Sequence, residues 1–423
     1  MNILVIGSGG REHALSFKLY QSGNNKVYCN PGNPGTEQFA KNVSFDINDE
    51  HDLISFCENE NVDLVVVGPE QPLADGIVDI LNKYKINCFG PNKYASQLES
   101  SKSFAKQFMD EFNIPTAGYK VFSKDQKELA YKYIDSFNSH IVLKADGLAG
   151  GKGVFICNSK DEAKLTLDEF FEGKFSSASE TVVIEEFLNG VEASVFAICD
   201  GDDYVLLPPS QDYKRAKEGD QGLNTGGMGS FAPTPYVNKD VLDKIAKEIV
   251  EPTLRGMKAR GSEFKGCLFC GLMIYNNQPK VIEFNVRFGD PETQSVLSLI
   301  DGNMAELFLS ASKGNINKSS ISIKKNKAAC TVILASKGYP ESYHKGFEIK
   351  GLKNNTELKD RFIFHAGTKK LNGQIINNGG RVLGITAIAK SIEEAKNNAY
   401  DLVMGIDFEN KYFRKDIAAD IKE

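Results

Sequence analysis

A run of alternating polar and apolar residues at positions 283–288 carries side chains that could hold a metal ion beside a phosphoryl group. Side chains two residues apart in a strand point the same way, so Glu283, Asn285 and Arg287 share one face and the apolar residues face the core. A carboxylate and an amide oxygen suit Mg²⁺, which takes few protein ligands and keeps phosphate oxygens and water. The guanidinium beside them can grip a carboxylate or a phosphoryl group. The alternative is a polar strand face turned to solvent.

A glycine-rich segment at 144–154 has lysines near both ends, a combination that suits covering nucleotide phosphates. It is not a Walker A loop, because Asp146 stands where that motif has glycine and Gly153 stands where it has Ser or Thr. A flexible hairpin is the alternative, but the lysines favour phosphate binding. The candidate residues are Lys144, Gly147, Gly150, Gly151, Lys152 and Gly153.

The first predicted strand runs into a glycine turn, GSGGREH at 7–13, that opens a helix. Backbone N–H groups at a helix N-terminus can bind phosphate. A dinucleotide site would need glycine where Glu12 stands and an acidic residue near Asn30, and these differences disfavour a nicotinamide-dependent dehydrogenase. The alternative is a tight strand-to-helix turn in which Arg11 and His13 are solvated surface side chains.

Two further segments have compositions that suit ligand binding. At 182–192 an apolar strand leads through a short polar connection into another strand, and the backbone of such a hinge can hydrogen-bond an adenine edge. Glu192 could then accept hydrogen bonds from ribose hydroxyls. At 211–229 a long polar loop carries charges of both signs and a glycine nest, and long ordered loops are usually functional.

Hydrophobic periodicity places these motifs on regular elements. Strands at 2–6, 26–29, 64–67 and 87–89 alternate with helices at 12–21, 51–59 and 76–84, which predicts a parallel sheet. A helix at 101–111 precedes a compact unit with helices at 126–137 and 161–171 and strands at 140–144, 153–156 and 181–185. Later strands are predicted at 191–199, 266–275, 280–286, 328–335, 362–366 and 381–389, and helices at 239–258, 293–300 and 391–402. The lysine-rich stretch 313–327 is predicted to be a solvated linker or an exposed hairpin.

Composition excludes several classes of protein. The 423 residues carry 50 basic and 56 acidic side chains, a net charge of −6, so the chain lacks the basic footprint of a nucleic-acid-binding protein. No apolar run approaches the roughly 20 residues of a membrane span, and no basic segment precedes the short N-terminal apolar run. We therefore expect a cytoplasmic protein. Cys267 and Cys270 have the C-x-x-C spacing of zinc and redox sites. They lie in a predicted apolar strand, however, where positions three apart face opposite sides, and this disfavours such a role.

In combination the motifs resemble the ATP-grasp fold and, more narrowly, the phosphoribosylamine–glycine ligase family. The matching residues in the first half are GSGGREHAL at 7–15, GPE-x-PL-x-DG at 68–76, SK-x-FAK at 101–106 and KADGLAGGKGV at 144–154. They continue with QDYKR at 211–215, NTGGMG at 224–229, EFN-x-RFGDPETQ at 283–294, HAGT at 365–368, GGRVLG at 379–384 and FRKDI at 413–417. The one departure is Tyr213, where the family often has His.

The resemblance implies a reaction in which 5-phosphoribosylamine, glycine and ATP give glycinamide ribonucleotide, ADP and phosphate through glycyl phosphate. It implies catalytic roles for Arg287, Asp212 and Lys214, and Mg²⁺ or Mn²⁺ binding by Glu283 and Asn285. The implied ATP-binding residues are Lys102, Lys144, Gly147, Gly150, Gly151, Lys152, Gly153, Glu185, Glu186, Phe187, Leu188 and Glu192. The implied substrate-binding residues are Gly7, Gly9, Gly10, Arg11, His13, Glu70, Asn224, Gly226, Gly227 and Asp290.

The resemblance also implies a multidomain α/β and α+β architecture. An N-terminal parallel α/β domain would span 1–101, a central ATP-grasp lobe 102–121 and 190–327, a mobile lid 122–189, and a small α+β domain 328–423. The expected partners are small molecules only, with no nucleic acid or membrane, and the expected state is a monomer or weak dimer. Three rivals remain: another ATP-grasp carboxylate–amine ligase, a nicotinamide-dependent dehydrogenase, and a non-catalytic nucleotide sensor.

Overall fold

The computed structural model describes residues 1–148, 153–173, 180–355 and 358–421. Its N-terminal part is a parallel sheet flanked by helices. In spatial order its strands are Lys41–Asn42, Lys26–Pro31, Asn2–Gly7, Leu64–Val67 and Cys88–Phe89. Its helices are Gly10–Gln21, Glu50–Asn59, Glu70–Asp75 and Ile77–Lys83. Strands buried on both faces read as continuous apolar runs, as Ile3, Leu4, Val5 and Ile6 do. The predicted parallel sheet is confirmed.

The next unit, which we call the small lobe, is an antiparallel sheet with helices on one side. Its strands in spatial order are Tyr119–Ser123, Thr181–Glu186, Ile141–Ala145 and Val154–Cys157, and its helices are Lys127–Asp135 and Lys160–Phe171. Short helices at Gln97–Ser100 and Lys102–Glu111 precede it. Phe170, Leu143 and Ile184 belong to a hydrophobic cluster that includes no residue from outside the small lobe. Because it buries its own core, the small lobe is a separate packing unit.

A second antiparallel sheet forms the centre of the molecule. Its strands in spatial order are Tyr204–Leu206, Val191–Asp200, Lys265–Tyr275 and Gln278–Asn285. Cys267 and Cys270 lie in different hydrophobic clusters, which confirms that they face opposite sides of their strand. Helices Glu292–Ser298 and Met304–Ser312 follow, and strands Ile300–Gly302 and Ile321–Ile323 pair, the second inside the lysine-rich stretch.

The predicted helix at 239–258 is divided into three helical pieces. The α-helices Lys239–Ile245 and Glu251–Ala259 are joined by a π-helical turn, Ala246–Val250. Pro252 lies in the first turn after this wide segment. Proline cannot donate the hydrogen bond of a regular helix interior, and the π-helical turn accommodates this break.

A third antiparallel sheet covers the C-terminal part. Its strands in spatial order are Gln211–Asp212, Gly229–Ala232, Ala328–Ser336, Arg381–Ala389 and Arg361–His365, with Lys411–Tyr412 pairing beside Ala328–Ser336. Helix Ile392–Met404 follows, and hairpins pair Arg215–Lys217 with Gln221–Asn224 and Thr368–Leu371 with Gln374–Asn377. The short 3₁₀ helices are Thr36–Gln38, Lys124–Gln126, Glu218–Asp220 and Lys318–Ser320.

The segment predicted as one polar loop at 211–229 therefore differs in the structure. It begins with a strand and runs into a second strand of the C-terminal sheet, where Ser230 and Phe231 are fully buried. Two-residue and four-residue strands are too short for sequence periodicity to reveal. The multidomain α/β and α+β fold class is confirmed. Among the described helices, none is long and apolar enough to cross a membrane.

Candidate active site

Arg287 lies where the N-terminal part meets the end of strand Gln278–Asn285. Its Nη2 is 2.8 Å from Glu99 Oε1 and donates to Asn285 Oδ1 at 3.1 Å, and its Nε is 3.4 Å from Glu70 Oε2. Burial raises the pKa of Glu99, and the charge of Arg287 opposes that rise. The pKa of Glu70 is lowered because attraction by Arg287 and Arg11 outweighs the opposite effect of burial. The guanidinium of Arg287 therefore connects Glu70 and Glu99 to the end of strand Gln278–Asn285.

Glu283 and Asn285 face the same space, as the strand alternation predicts. Burial would raise the pKa of Glu283, but Lys214, Lys144 and Lys102 together outweigh it and lower that pKa. Glu283 is therefore anionic next to an amide oxygen, a hard donor pair that fits Mg²⁺ or Mn²⁺. We call these two predicted metal ligands, Glu283 and Asn285, the metal pair. Within the described ranges no group of three or more His, Cys, Asp or Glu is placed to hold a metal. A cation here would complete its shell with phosphate oxygens and water.

The two predicted phosphate-binding lysines lie on different elements, Lys102 on helix Lys102–Glu111 and Lys144 on strand Ile141–Ala145 of the small lobe. Lys102 Nζ donates to the carbonyl oxygen of Gly147 at 2.9 Å, at the start of the glycine-rich loop. Lys144 Nζ donates to Ile282 O at 2.9 Å and lies 3.1 Å from Glu185 Oε1. Gly153 lies at the far end of the loop, and Gly150, Gly151 and Lys152 lie outside the described residues. Both ammonium groups thus lie near the metal pair, where they can meet an anion.

The predicted hinge follows the strand Thr181–Glu186. The backbone N–H of Gly118 donates to Glu186 Oε1 at 3.0 Å, and the N–H of Glu186 donates to Gly118 O at 2.9 Å. The ring of Phe187 lies 5.3 Å from that of His140, and Leu188 is half-buried. The hinge is therefore fixed to the loop before the first strand of the small lobe.

A cluster of acidic groups around Lys214 borders the metal pair. Lys214 Nζ lies 2.5 Å from Glu192 Oε2, and the attraction of Glu192, Asp212 and Glu283 raises its pKa against the effect of burial. Burial raises the pKa of Asp212, with Glu192 and Glu283 adding to the rise. Glu192, predicted to accept from a ribose, is thus paired with a lysine in this structure.

Glu292 belongs to this cluster and was not among the predicted site residues. It is 5% exposed, and its pKa is raised by burial and by the neighbouring charge of Asp212. Ser194 Oγ donates to Glu292 Oε1 at 3.4 Å. Acidic residues are common in the first turn of a helix, so the sequence does not mark Glu292 as a site residue. Only its burial in the fold distinguishes Glu292 from an ordinary helix-terminal acid.

We predict that replacing Glu292 by Gln stabilises the protein at alkaline pH. A carboxyl group whose pKa is raised in the folded state binds its proton more tightly there than in the unfolded state. The free energy of unfolding therefore falls as the pH rises above the ordinary glutamate pKa of about 4.3. The variant lacks this loss, so its melting temperature should exceed that of the wild type near pH 8 and match it near pH 5. Glu58→Gln, at an exposed site, is the control. A wild-type advantage at both pH values would contradict the prediction.

The N-terminal turn is built around the side chain of Glu12. The N–H of Gly9 donates to Glu12 Oε2 at 2.6 Å, and Arg11 Nε lies 2.5 Å from Glu12 Oε1. A Cβ on Gly7 or Gly68 would lie 2.4 or 2.2 Å from this side chain, so neither position accepts a larger residue in this arrangement. The Gly9 N–H, predicted to meet a phosphate, is already bonded to a protein carboxylate.

His13 and Arg11 are both buried, which excludes the alternative that they are solvated surface side chains. His13 is fully buried against Phe39 and Phe364, and burial lowers its pKa. Its Nδ1 accepts the N–H of His365 at 2.8 Å, so His13 fastens the first helix to the C-terminal sheet. Arg11 Nη1 donates to Phe288 O at 3.1 Å. His13 has no exposed surface in this structure through which to reach a substrate.

Asp290 connects three parts of the chain. Its Oδ2 is 3.3 Å from Arg381 Nη2, and Gln294 donates to its Oδ1 at 2.8 Å. Arg381 Nη1 donates to the carbonyl oxygens of Gly226 and Asp290, both at 2.6 Å. Gly227 has φ +110°, and a Cβ there would lie 2.4 Å from Pro291. The glycine nest therefore packs on the 290–291 turn, and Arg381, absent from the predicted site, holds both.

Two other residues of the 211–229 segment make different contacts. Asn224 pairs with Arg215 in the hairpin. The hydroxyl of Tyr213 donates to Asp420 Oδ1 at 2.7 Å and accepts the N–H of Ala418 at 2.9 Å. Tyr213 thus ties the strand that ends in Asp212 to the last described residues of the chain.

Comparisons with known proteins agree with this architecture. The fold is shared with the biotin carboxylase–β,γ-ATP complex of Campylobacter jejuni, with a TM-score of 0.74, 15% identity and coverage of 97% of this chain and 92% of that one. Residues 100–293 match the model of an ATP-grasp (A) domain. Fold and site therefore define an ATP-grasp protein.

The particular family follows from matches along almost the whole chain. Residues 1–99, 100–293 and 329–420 match the N, ATP-grasp (A) and C domains of phosphoribosylglycinamide synthetase. A phosphoribosylamine–glycine ligase of Caldanaerobacter subterraneus subsp. tengcongensis is 44% identical over 421 residues, which is 99% of this chain and 100% of that one. The crystal structure of a phosphoribosylamine–glycine ligase of Thermotoga maritima has a TM-score of 0.87 and 34% identity over 99% of this chain and 100% of that one. The chain belongs to the phosphoribosylamine–glycine ligase family.

Proposed function

We propose that this protein ligates glycine to 5-phosphoribosylamine at the expense of ATP and releases glycinamide ribonucleotide, ADP and phosphate. The observation that carries the proposal is the position of Arg287, which joins Glu70 and Glu99 to the Glu283–Asn285 pair. The N-terminal part and the strand Gln278–Asn285 thus meet at one guanidinium. Family membership supports the same reaction.

The chemistry requires that glycine be activated before the amine attacks it. A carboxylate is a poor acceptor for an amine near neutral pH, whereas an acyl phosphate carries a good leaving group. The proposed path phosphorylates glycine to glycyl phosphate, and the amine of phosphoribosylamine then displaces phosphate. The protein must align the reactants and neutralise developing charge. In this proposal Arg287 grips the glycine carboxylate, and Lys214 and Asp212 lie beside the reacting groups.

Nucleotide binding is proposed for the cleft between the small lobe and the central sheet. Lys102 and Lys144 would contact phosphates under the loop that contains Gly147, Gly150, Gly151, Lys152 and Gly153. Adenine would lie at the hinge formed by Glu185, Glu186, Phe187 and Leu188, with Glu192 near the ribose. Glu283 and Asn285 would hold Mg²⁺ or Mn²⁺, which when bound neutralises phosphate charge. The oxygen donors and the ionised state of Glu283 support this assignment.

Phosphoribosylamine is proposed to bind at the carboxyl end of strand Asn2–Gly7. The sheet order reverses at this strand, and ligands of such sheets bind beyond the strand ends at that point. Gly7, Gly9, Gly10 and Arg11 would form one wall, with Glu70, Asp290, Asn224, Gly226 and Gly227 around it. His13 would act only by fixing the turn. The enzyme would work in the cytoplasm as a monomer or weak dimer.

A coupled assay of ADP release with each substrate omitted in turn tests this function. We expect release to require ATP, glycine and phosphoribosylamine together with a divalent metal. Release without glycine, or with another amino acid in its place, would favour a different ATP-grasp amine ligase. Nucleotide binding with no release under any condition would favour a nucleotide sensor.

We also propose that the small lobe is a lid that closes over the nucleotide. Its independent core and its glycine-rich loop support this division of the chain. Amide hydrogen exchange in strands Ile141–Ala145 and Val154–Cys157 should slow when ATP and magnesium are added. Strands Leu64–Val67 and Ala328–Ser336 serve as internal references. Equal protection of the small lobe with and without nucleotide would contradict the lid.

A further inference from the structure

A buried cluster of three charged side chains joins the small lobe to the rest of the molecule. Lys106 Nζ, on helix Lys102–Glu111, lies 3.0 Å from Glu185 Oε2, and Lys144 Nζ lies 3.1 Å from Glu185 Oε1. All three side chains are at most 4% exposed. One carboxylate is thus shared by two ammonium groups, and the cluster keeps an excess positive charge. Buried lysines are rare unless they are paired.

Both lysines are also anchored to the strand that carries the metal pair. Lys106 Nζ donates to Thr116 Oγ1 at 2.7 Å, and Thr116 Oγ1 donates to Val281 O at 2.7 Å. Lys144 Nζ donates to the next carbonyl, Ile282 O, at 2.9 Å. Glu185 is therefore held by two lysines that are both anchored to strand Gln278–Asn285.

The number of ammonium hydrogens shows what this arrangement achieves. An ammonium group has three N–H donors, and Lys144 directs one of them at Ile282 O, while Glu185 Oε1 lies 3.1 Å away as an ion-pair partner that accepts no hydrogen bond from the described residues. Lys144 therefore keeps N–H donors for a ligand. Without Lys106, the second oxygen of Glu185 would have no cation of its own and could turn to Lys144. Lys144 would then lose both its free donor and its net attraction for an anion.

We propose that Lys106 is a positioning residue for nucleotide binding. It holds one oxygen of Glu185 and thereby keeps Lys144 available to the nucleotide phosphates. The inference rests on the proposed function in one respect, namely that Lys144 contacts the nucleotide. Lys106 itself is covered by Thr116, Glu185 and the ring of Tyr119 and does not reach the ligand.

The test is a direct titration of ATP against variants of the full chain, combined with steady-state kinetics. Lys106→Met should raise the dissociation constant of ATP about tenfold, the scale of one lost hydrogen bond to a charged group. The maximal rate at saturating ATP and the glycine KM should change little. Lys106→Gln, which can still bond to Thr116 but carries no charge, should show the same loss. A normal ATP dissociation constant in either variant overturns the proposal.

A double substitution separates positioning from a general structural effect. If Lys106 acts through Glu185, Lys106→Met should weaken ATP binding no further once Glu185→Gln is present. Independent, additive losses would overturn the proposal. Lys144→Met tests the underlying site: normal ATP binding there would contradict the nucleotide assignment. Weakened binding in Lys144→Met with normal binding in Lys106→Met would contradict only the role of Lys106.

The pH dependence of ATP binding by the wild-type protein is a further test. Burial lowers the pKa of Lys106 to about 8, against the attraction of Glu185, while Lys144 adds to the lowering. The other charged group acting on it is Glu186, which opposes the lowering. The ATP dissociation constant should therefore rise between pH 7 and pH 9, and Lys106→Met should flatten that dependence. A flat wild-type profile across this range overturns the proposal.

Discussion

Glu283→Gln is expected to lower the rate of ligation about a thousandfold at ordinary magnesium concentrations, because a bound metal, which we propose Glu283 holds, supplies roughly several kcal/mol of charge stabilisation. Lys214, Lys144 and Lys102 keep the pKa of this half-buried carboxyl below its ordinary value, against the effect of burial. The amide of Gln has the same shape but no charge, so it would leave these lysines without their shared counter-ion. The measurement is the rate of ADP release under saturating substrates, together with the melting temperature.

The matched control for Glu283 is on the same strand. Gln278→Ala, at an exposed position, should leave both the rate and the melting temperature close to those of the wild type. A second readout is the magnesium dependence, which should move to higher concentrations in Glu283→Gln. Near-normal activity of that variant at ordinary magnesium would remove Glu283 from the proposed metal pair.

Arg287→Met is expected to destabilise the fold by about 3–5 kcal/mol, the usual cost of breaking a buried ion pair, and to abolish ligation. The substitution leaves Glu99 buried without the cation 2.8 Å from it and frees Asn285 and Glu70. Chemical denaturation measures the first effect, and the coupled assay measures the second. Arg361→Met is the control, because its partner Asp401 is 72% exposed and such surface pairs contribute at most about 1 kcal/mol.

A second substitution separates the two roles of Arg287. Adding Glu99→Gln to Arg287→Met removes the buried unpaired charge and should restore much of the lost stability. Activity should stay absent, because the guanidinium proposed to grip glycine is still missing. If the double variant recovers activity along with stability, Arg287 serves only to hold the parts of the protein together.

The sequence predicted best where a local rule decides the outcome. Strand alternation alone places Glu283, Asn285 and Arg287 on one side, and the structure brings them together. Alternating strands and helices likewise predicted the parallel sheet. Both signals depend on residues close in the chain, so a periodic pattern can carry them.

The residues that sequence reasoning missed are charged side chains buried by distant partners. Glu99 looks like an ordinary helical residue until Val286 and Arg287 contact it, and Lys106 looks like a solvated lysine until Glu185 does. Arg381 lies in a quoted motif, but its contacts with Gly226 and Asp290 depend on the packing of the C-terminal sheet. No local pattern shows which charges a fold will enclose.

The pairing of Glu99 with Arg287 has a consequence for synthesis on the ribosome. The N-terminal parallel sheet can form as soon as its strands emerge, yet the cation for Glu99 is translated only much later. Until then we expect this carboxyl to stay solvated or to hold a proton, because burying it as an unpaired charge is costly. The nascent N-terminal part would therefore expose the polar surface that later contacts Arg287. This surface around Glu99 stays exposed until Arg287, which follows strand Gln278–Asn285, leaves the exit tunnel. Because domains fold in the order of translation, we expect chaperones to bind such exposed surfaces.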